Sequence, residues 1–365
     1  MKKGLNYNDI QLSKKILSEI EDISSSLGNV AIMEFCGTHT HSIFRFGIRE
    51  LLPKNITMLS GPGCPVCVTD NRDIDYFLAL AEMPNTIITT FGDMVRVPGS
   101  FKSLQDIKAE GKDVRIVYSC MSALDIAVQN PKKNVIFLGV GFETTAPTVA
   151  GAIVEAKKRG ITNFFVYSMH KLTPPAMKSI LELGEVKLNG ILGPGHVSTV
   201  VGSDVWNFLP RDYKIPIAIA GFDIVDILLG IKALLEMIKE NDPKVVNTYL
   251  RTVKPSGNKL AQDMIYQVFD IYDSYWRGLG KVPSSGLKIK REYEEFDASI
   301  QFPISIKEVS EENKSCRCGE VIRGVVSPLE CPLFGKVCNP SNPIGPCMVS
   351  SEGTCSAYYL YGARR

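Results

Sequence analysis

The sequence lacks any excess of charge of one sign and any long uninterrupted apolar run. Its 365 residues contain 41 Lys and Arg against 39 Asp and Glu, which leaves a formal net charge of +2. Such a balance predicts neither a nucleic-acid partner nor a membrane surface as partner. The most apolar helix-length stretch, 224–238, is interrupted by Asp226, Lys232 and Glu236, and residues 1–12 have no apolar signal-peptide core. We therefore expect a cytoplasmic protein without a membrane span.

Disulfide scaffolding is a use of cysteine that this sequence argues against. The chain is long, and six of its ten cysteines lie between Cys316 and Cys355. That segment has few apolar residues, so we expect something other than hydrophobic burial to hold it together. Its spacing lacks the two close cysteine pairs of a zinc ribbon. A [4Fe-4S] cluster tolerates irregular spacing and takes four thiolates, which would leave two cysteines as a dithiol beside it.

Short apolar runs recur along the first 220 residues and predict buried strands. Helix-length segments separate them, and this alternation favours parallel sheets covered by helices, an α/β fold. We predict two successive four-stranded units, with further helices at 10–23, 244–250 and 260–275. The predicted strands are 30–35, 56–59, 86–90, 114–118, 135–140, 163–167, 190–192 and 215–220.

The composition changes after the last predicted helix. Residues 277–286 are rich in Gly and Ser and predict a linker, and the chain beyond them is rich in Gly, Pro and Cys. We therefore predict an amino-terminal α/β domain at 1–128, a second α/β domain at 129–285 and a small cysteine-rich iron–sulfur domain at 286–365.

Cysteines, histidines and a glutamate follow the predicted strands, where ligands bind in open α/β sheets. Histidine is scarce, and all four histidines follow a strand, which favours one shared site. The Cys-x-x-Cys motif after Gly-Pro-Gly predicts a helix start that favours the thiolate; the pair forms a disulfide, binds a soft metal, or is half of a zinc site. The residues at the strand ends are Cys36, His39, His41, Cys64, Cys67, Glu143, His170 and His196.

Several of these residues also have a purely structural interpretation. A lone cysteine such as Cys36 is usually a small buried hydrophobe, but its place at a strand end beside histidines favours a functional thiol. His39 is a candidate proton shuttle, metal ligand or hydrogen-bond donor. Glu143 is either functional or merely a favourable charge near a helix start, and His196 either binds a ligand or lies in a capped turn.

Several motifs together resemble those of the HypD family of [NiFe]-hydrogenase maturation proteins. They are Cys-Gly-Thr-His-Thr-His, Gly-Pro-Gly-Cys-Pro-Val-Cys, Phe-Gly-Asp-Met-Val-Arg-Val-Pro-Gly, Gly-Phe-Glu-Thr-Thr-Ala-Pro, Gly-Pro-Gly-His-Val-Ser, Cys-Pro-Leu-Phe-Gly-Lys-Val-Cys and Ser-Ser-Glu-Gly-Thr-Cys. The resemblance implies a maturation factor that assembles the Fe(CN)2CO unit of the hydrogenase with the small chaperone HypC and the cyanide donor HypE. The hydrogenase large subunit would be the final recipient of that unit.

The resemblance also implies roles for individual residues. Cys36 would hold the iron, which carries cyanide and carbon monoxide, and Cys64 and Cys67 would be a redox-active or iron-binding pair. His39 and Glu143 would donate hydrogen bonds to cyanide nitrogens. The implied ligands of the [4Fe-4S] cluster are Cys318, Cys331, Cys338 and Cys355, which leaves Cys316 and Cys347 as the dithiol.

The competing interpretation is an iron–sulfur disulfide reductase that acts on a small or protein substrate. Against it, the segment around Gly139 and Gly141 lacks the third glycine of a dinucleotide-binding fingerprint, so no nicotinamide or flavin site is predicted. A purely structural iron–sulfur adaptor is a third interpretation, and it leaves Cys36, Cys64 and Cys67 without a role.

Overall fold

The computed structural model describes residues 9–306 and 315–362. Residues 1–8 of the amino-terminal segment, and residues 307–314 and 363–365 of the predicted third domain, lie outside these ranges. No helix within the described ranges is both long and apolar enough to span a membrane.

All eight predicted strands are present, and no strand end differs from its predicted position by more than two residues. Strand β3 illustrates why they form: its five residues, TIITT, are β-branched and buried on both faces, as a central parallel strand requires. The strands are β1 Val30–Glu34, β2 Ile56–Ser60, β3 Thr86–Thr90, β4 Asp113–Ile116, β5 Asn134–Gly139, β6 Phe164–Ser168, β7 Gly190–Pro194, β8 Ile217–Ala220, β9 Val245–Asn247, β10 Phe269–Trp276 and β11 Gly280–Ile289.

Strands β1 to β9 are divided between two parallel sheets in a way that the sequence order does not predict. The first sheet has the order β2-β1-β7-β8-β9 and the second has the order β4-β3-β5-β6. The chain therefore begins the first sheet, builds the whole second sheet, and returns to complete the first. The expected pair of successive units is wrong in this respect, and the predicted boundary at residue 128 separates β3 and β5, which are hydrogen-bonded neighbours.

The helices cover the sheets and connect their strands. Helix α1 begins where Asp9 accepts hydrogen bonds from the amides of Gln11 and Leu12, and it buries Ile16 and Ile20. The helices are α1 Ile10–Ser24, α2 Gly37–Arg45, α3 Ile48–Leu51, α4 Pro65–Val68, α5 Asn71–Glu82, α6 Leu104–Ala109, α7 Cys120–Gln129, α8 Ala146–Lys158, α9 Thr173–Leu183, α10 Gly195–Val201, α11 Ile224–Glu240, α12 Lys259–Val268, α13 Ala298–Gln301, α14 Cys318–Ile322 and α15 Thr354–Tyr361.

Three predictions for the region after residue 240 are wrong. The predicted helix at 244–250 is the edge strand β9, and only the first part of the predicted helix at 260–275 is helical, as α12. The rest is β10, which pairs antiparallel with β11, so the predicted linker at 277–286 is a hairpin turn and part of a strand. The antiparallel pairing of β10 with β11 across the short turn 277–279 overrides the helical pattern of residues 269–275, because each strand satisfies its backbone groups on the other.

The described part of the cysteine-rich tail packs by hydrophobic burial, contrary to expectation. Cys318, Ile322 and Met348 are buried in the same apolar core as Met33 and Phe35 of the first sheet. The tail therefore uses the core of the α/β scaffold instead of forming one of its own.

Candidate functional site

The carboxyl ends of both sheets and one segment of the tail enclose a cleft of about 460 Å³. The first sheet contributes Cys36, Gly63 and His196, which follow β1, β2 and β7. The second sheet contributes residues after β3 and β5, and the tail contributes the segment 350–352. Of the residues expected at strand ends, Cys36 and His196 both line this cleft.

Cys36 lies directly before α2, so its sulfur is next to the positive end of a nine-residue helix. Its thiol is free and only 7% of the residue is exposed. Burial raises the pKa of this thiol to about 12, and the charge of Glu352 adds to the rise. The backbone amides of His39 and Thr38 act in the opposite direction without outweighing burial. Cys36 is therefore mostly a protonated thiol at neutral pH, and a cation in place of the proton would favour the thiolate.

Two glycines allow other parts of the chain to approach the Cys36 loop closely. A Cβ atom on Gly63 would lie 2.4 Å from the backbone nitrogen of Cys36, and one on Gly37 would lie 2.5 Å from the Cβ of Glu352. The amide of Gly37 donates a 2.9 Å hydrogen bond to the carbonyl of Gly63. Any side chain at either position would push the loops apart.

Glu34, at the end of β1, is a buried carboxyl beside Cys36 that the sequence analysis did not single out. The hydroxyl of Thr40 donates a 2.6 Å hydrogen bond to its Oε1. Burial raises the pKa of Glu34 to about 7, although the hydroxyls of Thr40 and Ser60 and the charge of Arg49 lower it. A glutamate that ends an otherwise apolar run, Val-Ala-Ile-Met-Glu-Phe, is the signal that marks it in the sequence.

His39 is fully buried on α2, three residues after Cys36. Its Nε2 donates a 2.8 Å hydrogen bond to the carbonyl of Gly221, so its Nδ1 is a lone-pair acceptor, and Nδ1 has no hydrogen-bond partner. Burial lowers the pKa of His39 to about 4, which keeps the ring neutral. In this state the ring joins α2 to the end of β8 and does not offer a donor to a bound ligand.

The four histidines do not form one site. The ring of Phe222 lies between His39 and His196, with centroid distances of 4.8 Å and 3.9 Å. His41 instead contacts Tyr361 of the tail with an edge-on ring geometry. His170 follows β6 in the second sheet, where it is buried against Phe269 and away from the cleft.

Glu143 does not line the cleft, although its neighbours Phe142 and Thr144 do. It is buried, and it accepts hydrogen bonds from the amide and hydroxyl of Thr173 at 2.7 Å and 2.9 Å. Thr173 begins α9, so the carboxyl of Glu143 binds the amino-terminal end of that helix. This agrees with the expected charge near a helix start, but the helix is α9 and not α8, which follows Glu143 in the chain. Burial raises the pKa of Glu143 to about 7.

Cys64 and Cys67 are bonded to each other as a disulfide around the short helix α4, with Cα atoms 5.3 Å apart. Both residues are buried, and they lie behind the cleft wall that Gly63 and Pro65 form. The sulfur of Cys67 is 3.9 Å from the carbonyl oxygen of Pro346, the residue before Cys347. The structure thus places this disulfide between Cys36 and the tail cysteines.

The six tail cysteines form one group of interacting thiols. The sulfurs of Cys318 and Cys347 are in contact at 3.0 Å. Electrostatic interactions join the others into the same group, since Cys316 interacts with Cys318 and Cys331, Cys347 with Cys355, and Cys338 with Cys331 and Cys355. Over the described ranges, no three His, Cys, Asp or Glu side chains converge as they would around a single metal ion.

The contact between Cys318 and Cys347 bears on the predicted dithiol. The resemblance implies Cys316 and Cys347 as the dithiol. In the structure Cys347 contacts Cys318 and Cys355, and Cys318 also contacts Cys316.

The tail also contacts the Cys36 loop directly. The hydroxyl of Thr38, in this loop, donates a 2.8 Å hydrogen bond to Oε1 of Glu352. Arg96, in the segment after β3, donates to the tail carbonyls of Pro340 and Val349. Burial raises the pKa of Glu352. The motif that contains this glutamate was noted in the sequence, but its contact with the loop 314 positions away was not predicted.

A parallel α/β scaffold with a free buried thiol and a disulfide at its strand ends, and a group of thiols in its tail, defines the class of cysteine-rich α/β proteins. The family model for HypD, described as the hydrogenase formation hypA family, matches residues 11–362. The hydrogenase maturation factor HypD of Escherichia coli is 46% identical over 90% of this chain and 88% of its own length. That of Cupriavidus necator is 44% identical over 99% and 97%, and HypD2 of Bradyrhizobium diazoefficiens is 43% identical over 100% and 98%. The chain belongs to the HypD family of hydrogenase maturation factors.

Proposed function

We propose that this chain is the scaffold on which the Fe(CN)2CO unit of a [NiFe] hydrogenase is assembled, together with HypC and HypE. Cys36 is the residue that holds the iron. The observation that carries this proposal is the position of a free thiol in a 460 Å³ cleft, at the positive end of α2 and between both sheets. Iron that carries cyanide and carbon monoxide is soft, and thiolate is a ligand that suits it.

The raised pKa of Cys36 fits a cargo site better than a nucleophile. A thiol with a pKa of about 12 is almost entirely protonated at neutral pH, so it does not attack substrates readily. Binding of iron releases the proton and leaves a thiolate whose negative charge is partly offset by the metal. Glu34 and Glu352, the two carboxyls that interact electrostatically with this sulfur, favour its cation-bound form for the same reason that they oppose a free thiolate.

The groups around the cleft divide into ligand-facing and supporting roles. His196 and the hydroxyl of Thr144 line the cleft and supply donors for the nitrogen ends of bound cyanide. His39 supports the site from behind, since its only ring N–H is used by Gly221. Glu143 supports it at a greater distance through Thr173.

The thiols behind Cys36 are proposed to deliver electrons. Release of cyanide from a thiocyanate group on HypE takes two electrons, and a disulfide–dithiol pair exchanges two. The disulfide Cys64–Cys67 reaches the segment of Cys347 through the 3.9 Å contact at Pro346, and Cys347 contacts Cys318. This arrangement supports a relay from the tail to the cleft.

The tail cysteines have the donor chemistry that a [4Fe-4S] cluster requires, because all six are thiols in one group. When bound, the cluster would supply single electrons to the adjacent dithiol. The 3.0 Å contact supports Cys318 and Cys347 as that dithiol, with Cys316, Cys331, Cys338 and Cys355 as the ligands. Compared with the sequence-based assignment, Cys316 and Cys318 exchange places.

Infrared spectroscopy tests the proposal on the chain purified anaerobically with HypC and HypE. We expect cyanide and carbonyl stretching bands from the wild type and their loss in Cys36→Ala. Cys120→Ala is the matched control, because Cys120 is also a buried free thiol but begins α7, away from the cleft. Unchanged bands in Cys36→Ala would show that the iron is held elsewhere. A wild type without bands that reduces disulfide substrates would favour the reductase.

A further inference from the structure

The ring of Phe222 lies in a stack of three rings beside the cleft. It faces His196 at a centroid distance of 3.9 Å, with 28° between the ring planes, and it faces His39 at 4.8 Å. His196 lines the cleft, whereas Phe222 and His39 do not. Phe222 therefore contacts a cleft histidine without lining the cleft itself.

The two histidines of this stack differ in what fixes their rings. His39 is held by the 2.8 Å hydrogen bond from its Nε2 to the carbonyl of Gly221, the residue before Phe222. Within the part of the chain that the structure describes, no protein group forms a hydrogen bond with the ring of His196. The torsion that sets the plane of a histidine ring has only a broad preference of its own. We therefore attribute the plane of the His196 ring to its stack on Phe222.

Close packing of the chain holds Phe222 in this position. A Cβ atom on Gly195, the residue before His196, would lie 3.1 Å from Cζ of Phe222 and 2.3 Å from the carbonyl oxygen of Ala220. Glycine thus lets the start of α10 approach the end of β8. Tyr249 also packs edge-on against Phe222, at a centroid distance of 6.0 Å. The Phe222 ring is therefore held by contacts with three other rings and with backbone.

We propose that Phe222 is a positioning residue that holds the His196 ring so that its N–H reaches cyanide bound in the cleft. The inference rests on the proposed function, because it takes His196 as a donor to a cyanide nitrogen. Burial lowers the pKa of His196, so the ring is mostly neutral at pH 7 and carries a single N–H. A hydrogen bond from one donor weakens steeply with misalignment, so the plane of the ring decides whether this bond forms.

The alternative is that Phe222 only fills space between the start of α10 and helix α2. The two roles predict different infrared results. Loss of packing lowers the amount of Fe(CN)2CO that the chain retains, and with it the intensity of the cyanide bands. Loss of the hydrogen bond shifts the frequency of those bands, because a donor at the nitrogen changes the electron distribution of the bound cyanide. Band position is therefore the measurement that a merely structural role leaves unchanged.

Infrared spectra are recorded on the full-length chain purified anaerobically with HypC and HypE. Phe222→Leu removes the flat ring face and keeps an apolar side chain. We expect its cyanide bands to shift from the wild-type frequencies to those of His196→Ala, whatever their intensity. Phe269→Leu is the matched control, because Phe269 contacts His170, which does not line the cleft. Its cyanide bands should keep the wild-type frequencies.

The double variant Phe222→Leu/His196→Ala tests whether Phe222 acts through His196. If it does, the double variant has the band positions of His196→Ala alone. A further shift in the double variant, or wild-type positions in Phe222→Leu beside shifted ones in His196→Ala, overturns the role of Phe222 and leaves the proposed iron site intact. Unshifted bands in His196→Ala overturn His196 as a donor and the role of Phe222 with it. A wild type without cyanide bands overturns the proposed function itself.

A second substitution repeats the test with a different side chain. Phe222 is half-buried, so its replacement by another apolar residue should leave the fold intact, and circular dichroism checks this for each variant. Methionine fills irregular space but has no flat face, so Phe222→Met should shift the cyanide bands as Phe222→Leu does. Wild-type band positions in a folded Phe222→Met variant would also overturn the role of Phe222.

Discussion

Glu352 accepts a hydrogen bond from the hydroxyl of Thr38 at 2.8 Å, although 314 positions separate the two residues in the sequence. The contact places a carboxyl of the cysteine-rich tail beside the thiol that is proposed to hold the iron. Glu352 lies between Cys347 and Cys355 in the chain, so the segment that joins these two cysteines passes beside the Cys36 loop. The tail thus lines one side of the cleft and also contains six of the ten cysteines.

Substitution of Glu352 by Gln should make Cys36 more acidic. The charge of Glu352 raises the pKa of this thiol, and each unit by which the pKa falls increases the thiolate fraction about tenfold. We expect Glu352→Gln to speed alkylation of Cys36 by iodoacetamide at pH 8.5 by less than the rise in thiolate fraction, because a less basic thiolate is also a weaker nucleophile. Glu50→Gln, which removes an exposed carboxylate on α3, should leave the rate unchanged. An equal rate in both variants would remove Glu352 as an electrostatic partner of Cys36.

Substitution of single tail cysteines by Ser should separate ligands from the dithiol. We expect Cys316→Ser to lose most of its iron and acid-labile sulfide and Cys318→Ser to retain them, because the sulfur of Cys318 is in contact with that of Cys347. Iron and sulfide counts on anaerobically purified protein give the result. The reverse pattern would restore the assignment that the sequence motifs imply.

Gly63→Ala should destabilise the protein. The added methyl group would lie 2.4 Å from the backbone nitrogen of Cys36, and backbone cannot move aside as a flexible side chain can. We expect a loss of about 1–3 kcal/mol in urea unfolding. Gly151→Ala in α8 meets no atom within 4 Å and should instead gain about 0.5–1 kcal/mol. Similar effects of both substitutions would mean that the Cys36 and Gly63 loops are not closely packed.

Glu143→Gln should flatten the pH dependence of stability. Burial raises the pKa of Glu143 from 4.5 to about 7, so the folded state binds the proton more tightly than the unfolded chain does. Its contribution is complete below pH 4.5 and is lost as the pH rises through 7, by roughly 3 kcal/mol. The Gln oxygen accepts from the amide of Thr173, its NH2 group donates to the hydroxyl of Thr173, and the side chain does not titrate. Urea unfolding at pH 5 to 8 measures the difference between wild type and variant, and parallel curves would exclude a buried titrating carboxyl.

The local features of this fold follow from short stretches of sequence. Residues 86–90 form a buried strand because β-branched side chains suit a sheet covered on both faces, and residues 10–24 form a helix because Asp9 caps a 3.6-residue apolar repeat. Cys36 and His196 were placed in one site by their positions after strands. The sequence motifs also identify the family, because they are distributed along most of the chain that the family model matches.

The tertiary structure decided which distant segments meet. The sharing of one sheet by β1 and β2 with β7 and β8 depends on partners that local patterns do not reveal. Three side-chain contacts likewise join segments that local patterns do not bring together. Cys347 contacts Cys318, Glu352 accepts from Thr38, and Nε2 of His39 donates to the carbonyl of Gly221. The sequence determines which chemical group each residue carries. Whether that group donates a hydrogen bond, has a shifted pKa or contacts another thiol depends on its neighbours in space, which are set by the burial and packing of the whole chain.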